Sequence, residues 1–233
     1  MKAAFSIIIF LLLYQARSAE LADTWGIDYT EAVLFIDENC SVFEAISSEY
    51  GMDPLVIKSV VFPELLRYSL VRDFLETEIV AWGYVDQEAG FADFSIGHFQ
   101  MKPSFVEDLE SRLCQSNQMD LYQPLLIYRA SNARNIRAER VKRIQDLAYQ
   151  IRYLCSFISI AREQIKELSC LTSVEQVRYL ATLYNSGLEN DFSRLLLLSK
   201  RKTFPYGMNY SGRQYSYAAI SESYYKTFNQ ITI

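Results

Sequence analysis

The chain has 233 residues, half of them apolar, with eight glycines and five prolines; this composition builds one packed domain and excludes a disordered or linker-dominated protein. Its formal charge is −5, and residues 1–18 carry Lys2 and Arg17 and no acid, so removing them takes the charge to −7. That balance argues against nucleic acid as the main partner, because phosphate binding calls for a basic face.

Residues 1–18 read as an export signal: Lys2 supplies the positive start, the stretch from Phe5 to Leu13 is apolar, and Ala16-Arg17-Ser18 offers a small-x-small cleavage site. The apolar stretch is short for a bilayer span. A single mature domain is therefore expected over 19–233, exported to a bacterial periplasm or secreted. A first helix is expected over 31–50, closed by Gly51 in a left-handed cap. Asp53 then reads as an N-cap with Pro54 at the first helical position. Pro63 lacks an amide hydrogen and should kink or loosen the helix that follows.

Glu64 stands directly after it in the run Val60-Val61-Phe62-Pro63-Glu64-Leu65-Leu66-Arg67. A carboxyl group held among apolar neighbours resists ionising and can remain a proton donor near neutral pH. The alternative is a solvent-facing glutamate on a kinked helix.

The stretch 73–94 is expected to be a loop-rich excursion over one side of a cleft, with room for a short hairpin and with Asp86, Glu88 and Asp93 as polar loop residues or a second carboxylate. Pro103 starts a helix that runs through Leu113. Across 131–166 a sustained stripe including Val141, Ile144, Leu147, Ile151, Leu154 and Ile158 predicts a long core helix. Arg134, Arg137, Arg140, Lys142 and Arg143 on it read as a solvated face mixed with Glu139 and Asp146. Thr172 and Glu175 match a capping box opening a helix that ends at Gly187.

Cys40, Cys114, Cys155 and Cys170 lack CxxC spacing, and His98 is the only histidine, so neither a zinc site nor any other cofactor is expected. The four thiols either form up to two disulfides or stay buried and unpaired. The C-terminal stretch holds Tyr206, Tyr210, Tyr215, Tyr217, Tyr224 and Tyr225, suited to sugar faces or to packing on the core.

Three segments in order, the Glu64 run, Gly97-His98-Phe99-Gln100-Met101-Lys102-Pro103 and Leu183-Tyr184-Asn185-Ser186-Gly187, resemble the soluble lytic transglycosylases of the lysozyme-like superfamily. The similarity spans about 53–225. The second segment keeps the family's glycine, glutamine and proline, and the third its tyrosine, asparagine and glycine. Leu65 stands where the family has serine, and His98-Phe99 where it has leucine-methionine.

The resemblance implies a mainly α, lysozyme-like helical domain that cleaves peptidoglycan glycan strands. Glu64 would be the single catalytic acid and base. Gly97, Gln100, Tyr184 and Asn185 would bind substrate, and a late tyrosine, Tyr215 or Tyr217, would stand near the cleft. Two other readings accompany it: a lysozyme-type hydrolase using a loop carboxylate and water, and an inactive module that binds glycan or an envelope protein. Oligomeric state is open at this stage.

Overall fold

The computed structural model describes residues 21–71, 84–85, 94–209 and 211–229, the side chains of 69–71 excepted. The expected export signal, the carboxylates Asp86, Glu88 and Asp93, and Tyr210 lie outside the described residues, as does most of the 73–94 excursion. The described chain is mainly helical, and its only β pairing consists of two isolated antiparallel bridges, Ile96 with Met101 and Phe204 with Tyr215. None of its helices is long and apolar enough to cross a membrane.

After a helical turn at 21–25, α1 (Ile27–Glu38) and α2 (Cys40–Glu49) occupy the stretch expected as one helix. The break falls at Asn39, whose side-chain amide donates to the Phe35 carbonyl at 2.8 Å. Local side-chain competition of this kind is what makes asparagine a helix breaker. Gly51 adopts φ +61°, and Asp53 accepts from the Leu55 amide at 2.8 Å, opening α3 (Pro54–Val71) as the sequence predicts.

The helix does not end at Pro63, which is buried inside α3. Val60, Val61, Phe62 and Leu66 on α3 are fully buried, each contributing about 2 kcal/mol of apolar transfer. α3 is thus the central element, packed by α1, α2 and two later helices, α8 and α10.

Residues 96–101 form a tight hairpin, with reciprocal Ile96–Met101 amide-to-carbonyl bonds of 2.8 and 3.0 Å. It leads into α4 (Pro103–Gln115) and the short α5 (Gln123–Leu126). The long helix expected over 131–166 is two: α6 (Ala133–Gln145) and α7 (Leu147–Gln164). Asp146 separates them in extended conformation and caps α7 by accepting from the Tyr149 amide at 3.0 Å. An apolar stripe persists across such a break because both helices face one core, so periodicity alone could not reveal it.

After a 3-10 turn at Lys166–Cys170, α8 (Ser173–Ser186) begins at the predicted Thr172–Glu175 capping box and stops at Gly187, φ +96°. α9 (Phe192–Leu198) and α10 (Tyr217–Asn229) complete the fold, and α10 packs along both α3 and α8.

The expectation of a solvated basic face on α6 holds for Arg134 and Lys142, which are exposed, and is corrected for two others. Arg140 and Arg143 are buried. Arg140 reaches both Glu110, at 2.8 and 3.2 Å, and Glu107, at 2.8 Å, while Arg143 donates to the Leu125 carbonyl at 2.8 Å and pairs with Glu139. Tyr153 also donates to Glu110, at 2.8 Å, so the buried charges are paired and solvated by protein. Arg140 donates to the Tyr84 hydroxyl at 2.7 Å and Arg137 to the Val85 carbonyl at 3.1 Å, which fastens that buried pair to α6. All four cysteines are free: Cys155 is buried, Cys40 half-buried, and Cys114 and Cys170 are exposed.

Candidate active site

Glu64 is carried on the innermost helix, and the groove comes to it rather than the reverse. Its residue is only 4 % exposed, with Phe62, Leu65 and Leu66 buried around it on α3. One turn on, Arg67 places Nη1 3.1 and 3.0 Å from the two carboxylate oxygens. The Arg67 guanidinium rests 5.0 Å from the centroid of the Phe204 ring, and its Nε is buried without a hydrogen-bond partner among the described residues.

Burial raises the Glu64 pKa above its ordinary 4.5; the Arg67 charge and the nearby Tyr217 hydroxyl pull it back, and burial prevails. The Tyr217 hydroxyl makes no hydrogen bond of normal geometry among the described residues, so its effect on Glu64 comes from proximity. Burial, reinforced by the Glu64 charge, holds the hydroxyls of Tyr184 and Tyr217 well above the usual tyrosine range.

A groove of about 430 Å³ brings Glu64 and Arg67 together with Gln100, Tyr184 and Asn185. These residues come from three separate stretches: α3, the hairpin, and the end of α8. A second lobe of about 350 Å³ shares Arg67, Asn185 and Ser186 with the first and adds Tyr217 and Arg201. A larger hollow among the described residues, about 1000 Å³ between α5 and α6, contains none of the residues named for chemistry, and its Arg143, Glu139 and Asp146 are engaged in structural bonds. The groove beside the buried acid is therefore the candidate site.

Gly97 lies outside this groove. It sits at φ +70°, and a Cβ there would fall 2.3 Å from Gln150 Nε2 and 2.8 Å from the Ile144 carbonyl oxygen. Its close approach is thus to α6 and α7, not to a sugar. Gln150 pins the same turn by accepting from the Phe99 amide at 2.9 Å. Gln100 takes a left-handed φ of +50°, and its amide donates to the Gly97 carbonyl at 2.9 Å, so one donor is spent holding the turn open toward the groove. The Tyr184 hydroxyl donates to the Phe99 carbonyl at 2.8 Å, with its ring set edge-on to Phe105 and Phe157. It braces the glutamine-bearing turn against α8 rather than bonding to the acid.

The two late tyrosines separate. Tyr217 enters the second lobe beside Glu64, whereas Tyr215 packs 4.7 Å from Trp25 and lines a different hollow with Arg213. Tyr224 and Tyr225 are buried in the core. His98 is stacked 4.2 Å from Phe35 and lies tilted 4.5 Å from Tyr68, and burial lowers its pKa. Leu65 shares that separate hollow with His98, so these two departures from the transglycosylase pattern lie away from the groove.

Arg67 is a residue of the candidate site to which the sequence assigned no role. Its signal was the three-residue spacing from Glu64, which sets both side chains on one face once the helix continues past Pro63. Asp108 and Glu189 also line the groove, each held by Arg112 at 2.7 Å. Among the described residues no group of histidine, cysteine, aspartate and glutamate is arranged to hold a metal ion. Comparison of the chain with protein-family models, curated proteins and solved structures returns no match.

Proposed function

We propose that the protein is an exported peptidoglycan lytic transglycosylase of lysozyme-like type, acting without a cofactor, with Glu64 as its single acid and base. The observation that carries this reading is the meeting of Glu64, Gln100, Tyr184 and Asn185 on one groove from three distant stretches of chain.

A protonated Glu64 would give its proton to the leaving glycosidic oxygen as positive charge develops on the sugar ring. Burial keeps the proton in place beforehand, and Arg67 stabilises the carboxylate that forms as the proton leaves. Burial thus favours the protonated acid while Arg67 favours the carboxylate, the two forms that a group serving first as acid and then as base must pass between. The carboxylate would then take the proton of the muramic C6 hydroxyl as that oxygen attacks its own anomeric carbon, closing a 1,6-anhydro ring. Attack from within the substrate substitutes positioning for an activated water. Gln100 and Asn185 would hold N-acetyl and hydroxyl groups along the groove.

A hydrolase reading is favoured by Asp108 and Glu189 on the same groove, either of which would serve as the second carboxylate. A binding module without catalysis is favoured by the grip of Arg67 on both Glu64 oxygens. Incubating mature protein with purified sacculi and analysing the released muropeptides by mass spectrometry separates the three. The expected result is 1,6-anhydro ends from wild type and none from Glu64→Gln. Reducing ends would establish hydrolysis, retention on sacculi without release would establish a binding module, and equal release by Glu64→Gln would remove Glu64 from the site.

A further inference from the structure

Charge is segregated along this chain. It carries 28 acids against 23 bases, yet residues 192–221 contain no acid and five bases: Arg194, Lys200, Arg201, Lys202 and Arg213. All five are exposed, and none pairs with a carboxylate among the described residues. The next acid along the chain, Glu222, is occupied by Arg178 and Lys226.

The same stretch exposes large apolar side chains. Leu197 is 62 % and Met208 74 % exposed, with Leu196 and Tyr206 also open. The segment is closed on itself: Thr203 and Phe204 amides donate to the Tyr215 carbonyl at 3.1 Å, Gln214 donates to the Gly207 carbonyl at 2.9 Å, and Ser216 donates to the Ser199 carbonyl at 2.9 Å. Lys200, Arg201, Lys202, Met208 and Arg213 therefore share one closed loop that directly follows the helix carrying Arg194, Leu196 and Leu197. Arg201 and Met208 flank the lobe next to Glu64, while Lys202 and Arg213 flank a different hollow.

We propose that this segment docks the protein on an anionic phospholipid bilayer. Headgroup phosphates complement five unpaired cations, and the acyl boundary accepts Leu196, Leu197 and Met208, side chains that a soluble polyanion would leave in water. The binding is peripheral, since none of the described helices spans a membrane. Arg201 and Met208 belong to both the segment and the second lobe, so docking would present the Glu64 groove close to the membrane plane.

The test is sedimentation of the mature protein with vesicles of mixed phosphatidylglycerol and phosphatidylcholine, against vesicles of phosphatidylcholine alone. Binding is expected only to the former and is expected to weaken with added salt. The triple variant Lys200→Gln, Lys202→Gln, Arg213→Gln should lower affinity by on the order of a hundredfold, at about fivefold per cation. Leu197→Ser with Met208→Ser should also lower it, whereas Arg129→Gln with Lys142→Gln, on the far hollow, should not. Circular dichroism of each variant separates lost docking from lost folding. Equal binding to both vesicles, or none to either, overturns the proposal. So does a charge variant that weakens binding while the apolar variant does not, because that pattern leaves Leu197 and Met208 out of the contact and reduces it to adsorption on headgroup charge.

Discussion

Glu64 and Arg67 illustrate how three residues of spacing set the character of a site. Alone, a carboxyl at 4 % exposure would be held neutral over a wide pH range; the guanidinium one turn away limits the rise without cancelling it. The raised value has a consequence for stability. Between pH 4.5 and the higher folded-state value, the folded protein binds a proton that the unfolded chain has released, so stability falls as pH rises through that window. Glu64→Gln cannot ionise. Its thermal midpoint relative to wild type is therefore expected to climb across the window and level off above it, as read by calorimetry at a series of pH values. A difference that stays flat or falls would show that Arg67, not burial, dominates. Glu64 and its apolar setting were legible in the residue run itself. Arg67 was not, because an expected kink at Pro63 hid the helical register linking the two.

The hairpin 96–101 is the element that turns a buried acid into a site, since it brings Gln100 to the groove while Gly97 keys it into α6 and α7. Gly97→Ala would meet both strain at φ +70° and the Gln150 amide at 2.3 Å. A loss of about 2 kcal/mol in unfolding free energy is expected from denaturant titration, and displacement of Gln100 should also weaken the proposed binding of glycan in the groove. Ala at Gly51, where φ is +61° and no atom lies within 4 Å, bears the strain alone and should cost less. The glycine, glutamine and proline spacing announced this turn. Which side of it would face ligand was a matter of packing between elements distant in sequence, and the glycine proved to face inward.

For the molecule as a whole, one core organises both chemistry and surface. Cys155 is fully buried, and its thiol is pushed up to about 12, mainly by burial. Native protein is therefore expected to react with a thiol reagent at Cys114 and Cys170, and Cys155 only after unfolding, as counted by mass spectrometry. Early labelling of Cys155 would contradict the packing of α7. Helical content, the Asp53 and Thr172 caps, the stop at Gly187 and the three segments of the groove were determined by the sequence alone, because each is decided within a few residues by backbone geometry and side-chain capping. The tertiary structure decided the burial of Arg140 and Arg143 and the choice of Tyr217 over Tyr215 beside Glu64. Those outcomes depend on which faces of α3, α6, α8 and α10 meet, and facing is set by contacts between residues far apart along the chain, which no local pattern encodes.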